Sequence, residues 1–180
     1  KKELNILWEG LSHGNRKIFK MLKHILESIP EYKIKLHIIT DLKYCKVGSS
    51  YFCSSTYNIL KQIFKKSRVN FHLYDWDKVT FSAIASSCDF AVLPIPNDPI
   101  MMMKPENKLL LLWSMGLPVI TSNTKSYSRV MHKIHQDYSC NTPDEWRDKI
   151  IKLAESQKYR ANYIKSASSY INEYCSTEAI

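Results

Sequence analysis

Asp89 to Thr121 reads DFAVLPIPNDPIMMMKPENKLLLLWSMGLPVIT, and this stretch decides the fold. Phe90 to Leu93 is a short apolar run closed by Pro94, the pattern of a strand buried on both faces. Ile95 to Met103, rich in Pro and Met, reads as a loop. Lys104-Pro105-Glu106-Asn107 then opens a helix, because proline is tolerated in a first turn and an acidic residue there complements the dipole. Gly116 stops the helix, and Leu117-Pro118-Val119-Ile120 follows as a second apolar strand. The stretch is therefore a strand, loop, helix and strand.

Such a unit sets the helix N-terminus at the carboxyl end of the sheet, where free N–H groups favour a phosphate. Lys104 and Lys108 bring full positive charges to that point, unless they merely solvate a helix start.

The flanking sequence repeats the alternation. Asn5 to Trp8 is a first strand, and the loop Glu9 to Asn15 holds Gly10, His13 and Gly14, with Arg16 at the head of the next helix. That helix carries Ile18, Phe19, Leu22, Ile25, Leu26 and Ile29 as one apolar stripe. Ile34 to Thr40 alternates as a second strand, the segment from Asp41 to Thr56 looks like loop, a helix covers about Tyr57 to Lys66, and Val69 to Leu73 is a third strand. Asp77 caps a helix from Lys78 to Ser87, and Trp76 before it is either a wall of a ligand pocket or a core anchor, the second being favoured. After the central unit come a polar loop with Ser126, a helix from Tyr127 to Ile134, an edge strand near Asp137 to Cys140, and two closing helices. The first of these is started by Thr142-Pro143 with Glu145, and the second runs from Gln157 to Tyr174. The expected fold class is α/β, a Rossmann-like doubly wound parallel sheet with helices on both faces and two C-terminal helices, in one domain spanning residues 1–180.

Composition sets further bounds. With 44% hydrophobic and 24% charged residues the chain is globular, and no apolar run approaches the roughly 20 residues of a membrane span. No secretory signal is visible, and a start without Met followed at once by a strand suggests an excised domain. The five cysteines form no CxxC pair and read as reduced packing residues of a cytoplasmic protein. The formal charge of +9 raises nucleic acid as a partner, but the lysines are spread over helix faces and no binding signature appears, so no nucleic acid is expected. The charge reads instead either as a solvated surface or as attraction to anionic headgroups or to donor and acceptor phosphates, the second including peripheral contact with the inner face of the membrane.

Lys104-Pro105-x-Asn107-Lys108, the helix, and Gly116-Leu117-Pro118-Val119-Ile120 resemble the donor-site segment of GT-B glycosyltransferases, in their C-terminal nucleotide-sugar-binding domain. Trp76 ahead of a helix ending in Cys88-Asp89, Ser126-Tyr127 after the last strand of the unit, and Asn172 to Ser176 in the closing helix agree with that pattern. The resemblance implies a donor site of Gly10, His13, Gly14, Arg16, Trp76, Lys104, Asn107, Lys108 and Ser126. It also implies a carbohydrate or lipid-linked acceptor held by an N-terminal domain outside this chain, and transfer in polysaccharide or glycoconjugate synthesis. No cofactor is expected beyond the nucleotide-sugar substrate, and no metal.

One departure stands out. Retaining members usually carry two glutamates eight positions apart, and the matching positions here are Met103 and Leu111; Asp98 and Glu106 share the spacing but are displaced by five residues. No catalytic residue is therefore named. A nucleotide-sugar epimerase of the same fold and a degenerate, non-catalytic binding domain remain as alternatives, separated by donor binding and by turnover with and without an acceptor.

Overall fold

The protein is described here by a computed structural model covering residues 2–12, 16–45 and 53–174. In chain order its elements are β1 (Glu3–Glu9), α1 (Arg16–Glu27), β2 (Lys33–Ile39), β3 (Lys43–Cys45), β4 (Cys53–Ser55), α2 (Thr56–Ile63), β5 (Asn70–Tyr74) and α3 (Lys78–Ser87). They continue with β6 (Phe90–Leu93), α4 (Pro99–Met102), α5 (Asn107–Ser114), β7 (Val119–Ser122), α6 (Lys125–Lys133), β8 (Ser139–Cys140), α7 (Pro143–Glu155) and α8 (Gln157–Tyr174).

Six strands form one sheet in the order β5-β2-β1-β6-β7-β8, every pair parallel. Strand order reverses between β1 and β6, which makes that junction the switch point where open α/β sheets bind ligands. Every residue of β6 and β7 is buried, so helices cover both faces of the central strands. The apolar stripe of α1 packs as its spacing requires, with Ile18, Phe19, Leu22, Ile25 and Leu26 all buried.

Helix ends follow their side chains. Asp77 accepts from the N–H groups of Val79 and Thr80 at 2.9 and 3.0 Å, and Thr142 accepts from Glu145 N at 3.2 Å. The Glu145 carboxylate returns to Asn141 N, one residue before the cap. Gly116 closes α5 at φ +74°, a left-handed conformation that costs a glycine little.

Two segments read as loop contain structure. Asp98 caps the short helix α4 by accepting from Ile100 N and Met101 N, both at 3.1 Å. Between Asp41 and Thr56 lies the antiparallel pair β3–β4, which sets Cys45 opposite Cys53 in register. Cys53 is disulfide-bonded, which corrects the expectation that all cysteines are reduced and removes their argument for a reducing compartment. Cys88 and Cys140 are free, and burial pushes both thiols up to about 12.

Helix α8 fastens the site half of the molecule. Trp113 Nε1 of α5 donates to Tyr163 Oη at 3.0 Å, and that hydroxyl donates to Val119 O of β7 at 2.9 Å, all out of contact with water. No helix of the described residues is long and apolar enough to cross a membrane.

Candidate functional site

A cleft of about 790 Å³ opens at the switch point. The end of β1 supplies Trp8, Glu9 and Gly10; the turns after β2 and β5 supply Thr40 and Asp41, then Asp75 and Trp76. Leu93, Pro94 and Ile95 continue β6 into the opposite wall, and the approach to α5 contributes Lys104, Pro105, Asn107, Lys108 and Leu111. Tyr127 closes one side from α6. Each polar group stands at the carboxyl end of a strand or the start of a helix, because parallel strands bring all such ends to one edge.

Of the residues expected from sequence, Gly10, Trp76, Lys104, Asn107 and Lys108 line this cleft. Trp76 is 53% exposed, so the favoured reading of it as a core anchor is corrected. Its backbone N–H is held by Asp75 Oδ1 at 3.0 Å, and the turn leaves the indole at the cleft rim. Lys104 is exposed, and among the described residues no carboxylate pairs with it. Lys108 is committed: its Nζ lies 3.0 Å from Glu9 Oε2 and donates to Glu9 O at 2.9 Å. A Cβ on Gly10 would lie 3.0 Å from Trp8 Cζ2 and 3.1 Å from Lys108 Nζ, so the glycine makes room for the lysine and the indole.

The others lie elsewhere. Arg16 does not line the cleft; its Nη2 donates to Gln62 Oε1 at 3.3 Å across to α2. Ser126 sits half-buried in the first turn of α6 and leaves the cleft wall to Tyr127. His13 and Gly14 lie outside the described residues.

Four polar participants were not among the expected site residues. Glu9 neutralises Lys108, and Asp41 accepts from Ser12 N at 3.2 Å, tying the loop after β1 to the end of β2. The Tyr127 phenol is pushed up to about 12 by burial, helped by the charges of Glu106 and Glu9, and so remains a donor at neutral pH. Thr40 is 1% exposed, and among the described residues its Oγ1 has no hydrogen-bond partner. The common signal for Glu9, Thr40 and Asp41 was position, since each ends or follows a strand at the edge that binds ligands.

Leu111 lines the cleft at 45% exposure and Met103 is more exposed still, so neither glutamate position offers a carboxylate. Asp98 and Glu106 are spent on structure, the first capping α4 and the second paired with Arg129. Among the described residues no three His, Cys, Asp or Glu side chains gather where they could hold a metal ion.

No protein-family model matches the sequence, and no curated protein does. Solved structures do match. TarM aligns with 100% of this chain and 34% of its own at 17% identity, with a TM-score of 0.70; a mutant of S. aureus TarM was crystallised with fondaparinux, α-GlcNAc-glycerol and UDP. WaaG, a glycosyltransferase involved in lipopolysaccharide biosynthesis, aligns with 96% of this chain and 44% of its own at 14% identity and a TM-score of 0.62. The catalytic domain of cholesterol-α-glucosyltransferase from Helicobacter pylori aligns with 94% of this chain and 98% of the solved domain, at 15% identity and a TM-score of 0.62. These neighbours are GT-B glycosyltransferases, and the chain has the Rossmann-like fold of one half of such an enzyme. It spans less than half the length of the WaaG chain and about a third of the TarM chain.

Proposed function

We propose that this chain is the nucleotide-sugar-binding half of a glycosyltransferase that transfers a sugar to a carbohydrate or lipid-linked acceptor, the acceptor being held by a second half outside it. The observation that carries the reading is Lys104, a cation with no carboxylate partner among the described residues, on the wall of the switch-point cleft just ahead of the first turn of α5. A donor diphosphate there meets a full charge and the free N–H groups of the helix start. When the sugar departs, negative charge grows on that diphosphate as it becomes the leaving group. Preorganised positive charge lowers the barrier at that moment without rearrangement. Trp76 at the rim offers a flat apolar face to the nucleobase, and the Thr40 hydroxyl a hydrogen-bonding group with no partner among the described residues. The reaction needs no cofactor beyond the donor, and the half alone binds without turning over.

A second reading rests on Leu111. An exposed leucine where a carboxylate would grip the ribose fits a domain that binds a nucleotide without catalysis. Thermal unfolding with UDP, GDP, CMP, ADP and their sugar conjugates tests donor binding. Ligand at about 100 times its dissociation constant adds about 2.7 kcal/mol, several degrees for a domain of this size. A shift with one base supports a donor site, and sugar transfer by the complete enzyme separates the two readings. No shift in either the chain or the complete enzyme would reject both.

A further inference from the structure

Arg16 belongs to a different surface. A groove of about 400 Å³ runs between α1 and α2, lined by Arg16, Lys20, Lys23, Gln62 and Ile63. The three cations stand at i, i+4 and i+7, so they follow one side of α1 over about 10 Å. Their charges are little compensated. Among the described residues, Arg16 meets only the neutral Gln62 Oε1, Lys20 has no carboxylate, and Lys23 has Glu27 at 4.0 Å. That same Glu27 accepts from Ser67 Oγ at 2.7 Å and its backbone carbonyl from Arg68.

The groove is the centre of a larger imbalance. Residues 16–27 and 56–68 hold eight of the 26 lysines and arginines and one of the 17 acidic residues, and so account for seven of the nine net positive charges. The rest of the chain is nearly balanced. Helix packing alone does not call for this, because the α1 stripe of Ile18, Leu22 and Ile25 already buries what the core needs.

We propose that the groove between α1 and α2 is the surface by which this protein docks on a bilayer rich in anionic lipid. Lysines predominate among the eight cations, and a compact, strongly hydrated ammonium suits a field of headgroup phosphates rather than the forked reading of a base edge. Among the described residues no aromatic side chain lines the groove to give single-stranded nucleic acid a stacking surface. A folded acidic partner would want buried aromatic or arginine anchors, and the described residues of the groove offer Arg16 and the partly covered Ile63. The first turn of α1 lies at the sheet edge where the cleft opens, so docking through it brings that edge to the membrane. This inference stands on charge and geometry and is independent of the donor-site reading.

The test is co-sedimentation of the chain with phosphatidylcholine vesicles containing roughly 30% phosphatidylglycerol, against pure phosphatidylcholine, in about 50 mM salt. Binding is expected to the anionic vesicles alone and to be lost in about 500 mM salt. The variant Arg16→Gln/Lys20→Gln/Lys23→Gln should weaken it about a hundredfold, near fivefold per charge. A control with the same change in net charge, Lys125→Gln/Lys158→Gln/Lys165→Gln on exposed sites of α6 and α8, should bind nearly as tightly as the unmodified chain. Equal losses in the two variants would mean that net charge alone acts and would overturn the proposal. So would failure of the unmodified chain to bind, or a groove variant that loses single-stranded RNA while keeping vesicles. Circular dichroism checks that each variant is folded, and Lys20→Gln alone, expected to lose about fivefold, serves should the triple variant unfold.

Discussion

Lys108 reaches across the floor of the cleft to Glu9, 3.0 Å from its carboxylate and bonded at 2.9 Å to its backbone carbonyl. The Glu9 side chain is only 13% exposed, so the pair holds α5 against β1 and also removes a charge that a diphosphate could have used. The two partners should therefore respond differently to substitution. Lys108→Met strands a mostly buried carboxylate and should cost ~1–2 kcal/mol, a fall in melting temperature of about 2–8 °C. Glu9→Gln releases the lysine charge into the cleft and should tighten whichever nucleoside diphosphate of the panel binds, measured by calorimetric titration, by roughly fivefold. Weaker binding of that diphosphate in Glu9→Gln would mean that the carboxylate serves the ligand rather than restrains the lysine.

Lys104 carries no such structural duty. Lys104→Ala should leave the melting temperature of the free chain unchanged while weakening nucleotide-sugar binding by ~1.5–3 kcal/mol, the worth of one charge-assisted contact. Equal affinity in the folded variant would remove Lys104 from the donor site.

Why Lys104 and Arg16 fared differently shows what a sequence carries. The succession of strands and helices followed from apolar runs and from proline and glycine punctuation, and the central unit from Phe90 to Ile120 was legible because each of its parts has a local cause. Lys104 and Asn107 could be placed since a βαβ unit fixes where its helix begins. Arg16 is also at a helix start after a strand, but α1 turns that side chain toward Gln62, a choice made by helix rotation and by a neighbour 46 residues away. Trp76 looked like core because tryptophan usually is; the Asp75–Asp77 turn puts it outside. The β3–β4 pair was missed because strands of three residues have no periodicity to read. Glu9 was visible, but its partner lies 99 residues away.

Tyr163 should matter more for stability than any exposed residue of α8. Its hydroxyl stands between Trp113 Nε1 and Val119 O, and in Tyr163→Phe both would be left buried without a partner. The expected loss is ~1–3 kcal/mol, read as a lower midpoint in urea with an unchanged slope. Because none of the three residues lines the cleft, ligand affinity should change less than stability. A variant as stable as the parent would show that water replaces the hydroxyl.

The last prediction concerns His37, buried on β2. Its ring stacks between His72 and Tyr74, at 5.4 and 5.8 Å, with Nε2 3.2 Å from Asn5 Oδ1 and Nδ1 3.1 Å from Tyr74 Oη. A neutral ring satisfies both contacts, Nε2 donating to the amide oxygen and Nδ1 accepting from the phenol. Desolvation first, then the nearby charges of His72 and Lys35, lower its pKa below the ordinary 6.5, with Glu3 pulling weakly the other way. Between that lowered value and about 6.5 the unfolded chain binds a proton that the native ring refuses, so stability rises with pH through this window. The contribution is complete above about pH 7 and is lost as pH falls, with a slope of at most about 1.4 kcal/mol per pH unit for one proton. Urea unfolding at pH 7.5 and pH 5 should therefore show a stability difference that shrinks in His37→Gln, whose side chain cannot titrate. The same difference in parent and variant would mean that groups other than His37 carry the acid sensitivity.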